Sequence, residues 1–240
     1  MEYPHLKNAP IREAIIDIRV KHRPNFSISE FRDIHKFLKP DYPLMEERKA
    51  TIFHLQADSI PQELKQESEL DGIAFLREDR KELVQFTKHG FTFNKLEPYT
   101  DWDDILTKTK KAWSIYLEKS KPVSINRIAT RFINNLVFPL PVDLGKYLTN
   151  PPNVPVSGPH LFSNSLNRIT LIDESKNISV HFTQIIETKE GTAAIIIDLD
   201  AFKDSDIDVD YLWVDFKNLR DMKNKLFFSS LTENAINIYK

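Results

Sequence analysis

The sequence predicts an α+β fold made of two similar halves, each with the order β-α-β(3-4)-α and an antiparallel sheet backed by a long helix. Three observations lead to this class. Short β-type segments alternate with polar turns in both halves, a helical repeat of apolar residues closes each half, and the order of elements occurs twice. With 240 residues, of which 41% are hydrophobic, the chain is long enough to bury a self-sufficient core.

The first half begins with a strand and a short helix. The isoleucine-rich segment from Ile11 to Val20 predicts the strand. Ser27, followed three residues later by Glu30, has the pattern of a capping box, and Pro40 ends the helix that this pattern begins. Four short β-type segments then predict an antiparallel meander: Ala50 to Gln56, Ile73 to Leu76, Leu83 to Thr87 and Phe91 to Leu96.

A long helix is predicted at the end of each half. The first runs from about Trp102 to Lys119, with Thr100 or Asp101 as its N-cap. The second runs from about Tyr211 to Tyr239, with a candidate break at 229–232. Three lysines of the first helix are expected largely on its solvated side: Lys108, Lys110 and Lys111.

The second half repeats the order of elements. A long strand from Val123 to Phe138 leads through the turn PLP to a short helical segment at Val142 to Leu148. The proline-rich segment NPPNVPVSGP, at 150–159, is incompatible with regular helix or central strand because proline lacks a backbone N–H. Three further strands are predicted: Leu166 to Ile172, Ile178 to Glu187 and Thr192 to Asp200.

The repeated order predicts an internal duplication, with an N-terminal α+β half at 1–121 and a C-terminal one at 122–240. The halves either form separate domains or pack as one. The alternative is two unrelated halves that share a common order of elements. One alignment of the halves matches three residue pairs: Pro10 with Pro122, Ile16 with Ile128, and Arg19 with Arg131.

Composition excludes several classes of function. The formal net charge is −2, so no global field attracts the chain to nucleic acid or to an anionic membrane, although a local basic patch is not excluded. The chain has no cysteine, which removes disulfides and thiolate chemistry and suits a reducing cytosol. No signal-peptide pattern is present, and no apolar run approaches the ~20 residues that span a bilayer. We therefore predict a cytoplasmic protein that does not enter a membrane.

Three segments resemble a family of uncharacterised prokaryotic proteins described as sporadically distributed. They are NAPIREAIIDIRV at the start, RIATRFINNLVFP in the middle and FFSSLTENAINIY at the end. The resemblance implies no activity, because the family has no established reaction. Its patchy distribution is similar to that of genes on mobile elements, including defence systems. Where the resemblance leads us to expect a Leu-His pair in the last helix, the chain has Leu219 and Arg220.

The central strand carries the first candidate site. Both of its faces are half apolar, which predicts that helices cover one face and that a second layer, a ligand or another subunit covers the other. Arg127 and Arg131 point to the same face and could bind an anion, with Asn134 and His181 as further ligand-binding candidates. The alternative is that the arginines form internal salt bridges with the acidic stretch near Asp198.

The acidic stretch is the second candidate site. Asp198 and Asp200 lie on one face of a predicted strand and could hold a metal ion. The aspartates beyond them mimic the spacing of a calcium loop, but Val209 stands where such a loop needs glycine and Asp215 where it needs glutamate. The alternative is an acidic loop before a helix N-terminus, where carboxylates are favoured.

No motif of a known chemistry is present, and the five glycines are too scattered for a phosphate-binding loop, so no cofactor is expected. The first hypothesis is a non-enzymatic binding or interaction protein, acting through a homodimer or a protein partner, as an accessory component of a mobile-element or defence-type system. The second is a metal-dependent hydrolase or nuclease that uses Asp198 and Asp200. The third is a small-ligand-binding module whose cavity is lined by Arg127, Arg131 and His181.

Overall fold

One antiparallel sheet dominates the computed structural model, which describes residues 3–53, 66–153 and 163–240. Within these residues the sheet has nine strands in the order β2-β3-β4-β5-β1-β6-β9-β8-β7. The strands are β1 Ile11–Lys21, β2 Leu44–Phe53, β3 Gln66–Leu76, β4 Glu82–Thr87, β5 Gly90–Leu96, β6 Ser124–Pro139, β7 Asn164–Asp173, β8 Ile178–Lys189 and β9 Thr192–Ile207. The predicted α+β class with antiparallel sheet is confirmed.

The described residues also contain four α-helices. They are α1 His35–Leu38, which continues a 3-10 segment at Ile28–Ile34, α2 Trp102–Ser120, α3 Leu212–Ser230 and α4 Glu233–Tyr239. Asp101 caps α2 by accepting a hydrogen bond from the backbone N–H of Asp104 at 2.8 Å, as one of the two predicted caps. The expected break in the last helix is present, because Leu231 is extended and Thr232 caps α4. None of these helices is long and apolar enough to cross a membrane.

The centre of the sheet is the antiparallel pair of β1 and β6. Ile15 is paired with Arg131 and Arg19 with Arg127, so the first strands of the two predicted halves lie side by side. Each of them is followed outward by the strands of its own half, β5 to β2 on one side and β9 to β7 on the other. The ladder of hydrogen bonds therefore runs without interruption from one half into the other.

The core lies on one face of this sheet. Along β6, alternate residues such as Phe132, Leu136 and Phe138 are buried there, as the two-residue period of a strand requires. The ring of Tyr116 in α2 lies 5.1 Å from the ring of Phe86 in β4, both measured between centroids. Aromatic pairs of this kind add to the stability gained from burial.

Three strands extend well beyond their predicted bounds because charged residues hide the β pattern. Strand β3 begins at Gln66 rather than at the predicted Ile73, so it includes an acidic run that ends at Asp71. Strand β2 begins at Leu44, although Glu46 to Lys49 interrupt the apolar alternation; β2 is an edge strand, where charge is tolerated. Strand β9 continues to Ile207, so the expected acidic loop after Asp200 is largely strand. The predicted helix at Val142 to Leu148 is reduced to one 3-10 turn, Leu144–Lys146.

Parts of two predicted segments lie outside the described residues. They are 54–56 of the first meander strand and 154–159 of the proline-rich segment.

Candidate functional site

Two neighbouring strands bring the predicted arginines and aspartates together on the sheet face opposite the core. Strand β6 lies between β1 and β9, and Arg131 is paired directly with Asp200. The two-residue period of each strand places the following residues on this face, and we call them the charged cluster: Asp17, Arg127, Arg131, Asp198 and Asp200.

The arginines of the charged cluster are held by carboxylates. Arg127 is ion-paired with Asp17 at 3.2 Å and with Asp200 at 3.3 Å, and its guanidinium lies 4.7 Å above the ring of Phe202. Arg131 donates two hydrogen bonds to Asp198, from Nε at 2.9 Å and from Nη2 at 2.6 Å. The internal salt bridges that the sequence left as an alternative are therefore present.

Burial distinguishes the two arginines. The side chain of Arg127 is 17% exposed and that of Arg131 is 45% exposed. Burial raises the pKa of Asp200 above its ordinary value, although the positive charges of Arg127 and Arg131 oppose that rise. Arg127 consequently offsets a larger desolvation cost than Arg131 does.

We expect Arg127→Met to lower the free energy of unfolding by about 2 kcal/mol, because it leaves the carboxylates of Asp17 and Asp200 half-buried without their shared cation. Arg131→Met is the comparison variant and should cost less, about 1 kcal/mol, since the Arg131 guanidinium is 45% exposed and pairs with one aspartate, Asp198, rather than two. Urea unfolding of both variants measures the difference. Equal losses in the free energy of unfolding would mean that the burial of the arginine does not determine how much each ion pair contributes.

The other two predicted ligand-binding residues take different positions. His181 of β8 is paired with Asp200 in the sheet, and its Nδ1 is hydrogen-bonded to the Thr170 hydroxyl at 3.0 Å. Asn134 lies on the opposite, core-facing side of the sheet, where its side-chain amide donates to the carbonyl of Ile197 at 2.9 Å. The structure thus brings His181 to the charged cluster and separates Asn134 from it.

The predicted metal ligands lie within the charged cluster. Asp198 faces the guanidinium of Arg131, and Asp200 faces that of Arg127. In the parts of the chain that the structure describes, no three His, Asp or Glu side chains are grouped so that they could hold a metal ion. The assignment of a metal to Asp198 and Asp200 stays a prediction.

A cavity that the sequence did not predict lies on the core-facing side of the sheet. Its volume is about 190 Å³, and we call it the Lys223 cavity. Its walls are formed by the N-terminal segment 3–11, the residues just before and at the start of α2, strand β6 and helix α3. The lining includes Tyr3, His5, Tyr99, Asp101, Trp102, Asn134, Arg220, Lys223, Asn224, Phe227 and Phe228. Arg127, Arg131 and His181 are not part of this lining.

Lys223 occupies a core position of α3. The buried stripe of this helix contains Leu212, Phe216, Leu219, Lys223 and Phe227, at spacings of three and four residues. A lysine in an otherwise apolar stripe is a signal that the sequence contains, because a solvated lysine would lie on another face. The spacing determines the face of the helix on which Lys223 lies, and the contacts of its amine depend on the tertiary structure.

The Lys223 amine is desolvated and lacks a counter-ion. Only 7% of the residue is exposed, and Nζ lies 3.6 Å from the centroid of the Phe132 ring. Burial, and next the positive charge of Arg220, lower the pKa of Lys223 to about 7. Among the described residues, none forms a hydrogen bond or an ion pair with this amine. Ring contact is therefore its main compensation within the fold.

Comparison with known proteins does not assign the chain to a family. No protein-family model matches the chain, and no curated protein is significantly similar to it.

Proposed function

We propose that this chain is a non-enzymatic binding protein that holds a small ligand in the Lys223 cavity. One observation carries the proposal: a buried lysine lines an open cavity without a carboxylate partner among the described residues. Burying an unpaired cation is costly, and a ligand that supplies the missing partner offsets that cost. The cavity also combines apolar walls with a few polar groups, as ligand sites commonly do.

A thermal-unfolding screen tests this function without assuming the ligand. The panel contains small carboxylates, phosphates, amines and neutral metabolites. We expect at least one class to raise the melting temperature of the wild type, because a ligand that binds only the folded state stabilises it. Lys223→Met should lose the shift, and Lys225→Met, which removes an exposed cation of the same helix, should keep it. A shift of the melting temperature that is also seen with Lys223→Met would contradict the proposal. The same holds if no ligand class shifts the melting temperature of the wild type.

A second candidate function is self-association along β7, which would be one form of the predicted homodimer. The position of β7 at the end of the sheet order favours it, together with the side chains of Leu166 and Ile172, which are 71% and 69% exposed. If two copies of β7 pair antiparallel with Ile169 on the two-fold axis, Leu166 of each copy faces Ile172 of the other. Both residues then lose exposed apolar surface.

We expect Ile172→Lys to weaken a dimer of this kind, because it places a charge beside the apolar contact at each end of the paired strands. Sedimentation velocity over a range of concentrations measures the change. Val123→Lys alters an equally exposed apolar residue outside β7 and should leave the dimer intact. A wild type that stays monomeric at the highest concentration would rule out self-association.

We further propose that the two halves arose by internal duplication and that a long helix backs the sheet of each. The alignment that places Arg19 on Arg131 also places Asp17 on Ala129, and these two residues are paired in the sheet. A local two-fold axis through that pair relates β1 to β6 near the middle of β1. The outward order of strands from β1 and from β6 supports the same axis.

Several narrower proposals accompany these. They are membership of the sporadically distributed prokaryotic family, a role as an accessory component of a mobile-element or defence-type system, and a cytoplasmic location. The resemblance of the three sequence segments supports the first two, and the absence of cysteine supports the third. Identification of the neighbouring genes tests the accessory role. Hydrolase or nuclease chemistry at Asp198 and Asp200 stays an alternative.

A further inference from the structure

The Lys223 cavity has an excess of positive charge. Arg220 and Lys223 line it from α3, one helical turn apart, which places their Cβ atoms about 5–6 Å from each other. Asp101 is the one acidic residue in the described lining, and its carboxylate accepts the N–H of Asp104 as the cap of α2. Arg220 has its guanidinium 5.5 Å above the Trp102 ring and no ion pair with a described residue. The charge of the site therefore favours an anion.

Aromatic rings form much of the cavity wall. Tyr3 of the N-terminal segment is stacked on Phe228 of α3, with 4.8 Å between ring centroids and planes 5° apart. Tyr99 lines the cavity from the segment before α2, Trp102 from the first residue of α2, and Phe227 from α3. Such walls favour a flat apolar body, which can lie against a ring, over a fully hydrated inorganic anion.

The volume restricts the size of the ligand. About 190 Å³ is less than the roughly 300–1,000 Å³ of sites that take drug-sized molecules. A molecule with one ring and one short acidic group is of suitable size. A carboxylate is planar and can accept hydrogen bonds from a guanidinium and an ammonium together.

We propose that the Lys223 cavity binds a small aromatic monocarboxylate, with its carboxylate held by Lys223 and Arg220 and its ring held between the aromatic side chains. This inference rests on the proposed binding function and adds the ligand class to it. The ligand supplies the negative charge that none of the described residues places beside Lys223.

Binding should be linked to proton uptake. Because burial lowers the pKa of Lys223 to about 7, the amine is mostly neutral above pH 7, and an adjacent carboxylate favours its charged form. The affinity for a carboxylate should then fall by up to about tenfold per pH unit above pH 7, until the pKa of the complex is reached.

The other titratable groups that face the cavity are Tyr3, His5, Tyr99 and Asp101, and Arg220 faces it as a permanent cation. Burial raises the pKa of Tyr99, which keeps its phenol neutral through this interval. A His5→Gln variant separates any contribution of that ring from the contribution of Lys223.

Calorimetric titration with benzoate tests the ligand class. Benzamide has the same ring without the charge, and inorganic phosphate has charge without a ring. We expect benzoate to bind the wild type at least about tenfold more tightly than either, and Lys223→Met to lose about tenfold or more. Lys225→Met should bind as the wild type does. Between pH 7.5 and 8.5 the affinity for benzoate should fall by up to about tenfold in the wild type and in His5→Gln alike.

The outcomes separate this inference from the proposed function. Equal binding of benzoate and benzamide, tighter binding of phosphate, or no binding of benzoate would overturn the ligand class. If a phosphate, an amine or a neutral metabolite gives a Lys223-dependent thermal shift in the screen while benzoate does not bind, the cavity is still a ligand site. If no ligand class in the screen shifts the melting temperature and benzoate does not bind, both the ligand class and the proposed binding function are overturned.

Discussion

Lys223→Met is expected to stabilise the ligand-free protein, and the gain is expected to shrink as the pH rises from 6 to 9. In the unfolded chain a lysine keeps its proton up to about pH 10. In the folded protein the pKa of Lys223 is about 7, so between these values the unfolded state binds more protons and the wild type becomes more stable as the pH rises. Below pH 7 the full cost of burying the cation is present.

The size of this effect follows from the difference between the two pKa values. The expected gain in the free energy of unfolding for Lys223→Met is on the order of 4 kcal/mol at pH 6 and about half of that at pH 9. Methionine keeps the length and the apolar stem of the lysine, so the packing against Phe132 is largely retained. Thermal or urea unfolding at pH 6, 7.5 and 9 measures the change.

Lys225→Met is the matched control, because its side chain is exposed on the same helix and its removal should change stability by less than about 0.5 kcal/mol. A Lys223→Met protein that is less stable than the wild type at pH 6 would contradict the expectation. A gain that does not change with pH would show that the buried amine is not the cause.

Lys108→Met is expected to lower the free energy of unfolding by about 3 kcal/mol, because it leaves a buried carboxylate without its cation. Glu82 is only 2% exposed, and it accepts hydrogen bonds from the Lys108 amine and from the Tyr42 hydroxyl, each at 2.9 Å. Burial, and next the charge of Glu82, raise the pKa of Tyr42, so its phenol stays a donor. Arg77 lies 4.0 Å away and compensates only weakly.

A double-mutant cycle separates this ion pair from the packing of Lys108. Adding Glu82→Gln to Lys108→Met removes the stranded charge, so the double variant should lose less stability than the sum of the single variants. Lys111→Met is the control on the same helix, since its partner Asp41 is exposed, and should cost less than about 1 kcal/mol. Additive losses would mean that Lys108 and Glu82 do not act as a pair.

Lys108 shows where helical periodicity stops being informative. The spacing of apolar residues places this lysine largely on the solvated side of α2, but Glu82 and Asp104 both lie within 2.9 Å of its amine. Asp104 is its neighbour one helical turn away and is visible in the sequence. Glu82 belongs to β4, and no local pattern predicts that this strand runs beside α2.

The sequence by itself determined the types of most elements and the faces of the central strand, because both follow from local periodicity. It placed Arg127 and Arg131 on one face, and it narrowed the cap of α2 to Thr100 or Asp101. Tertiary structure decided what those residues meet. The partners of Arg127 come from β1 and β9, and the surroundings of Lys223 come from α2, β6 and the N-terminal segment. Contacts between distant segments depend on strand order and helix packing, and these are properties of the whole chain that no local pattern contains.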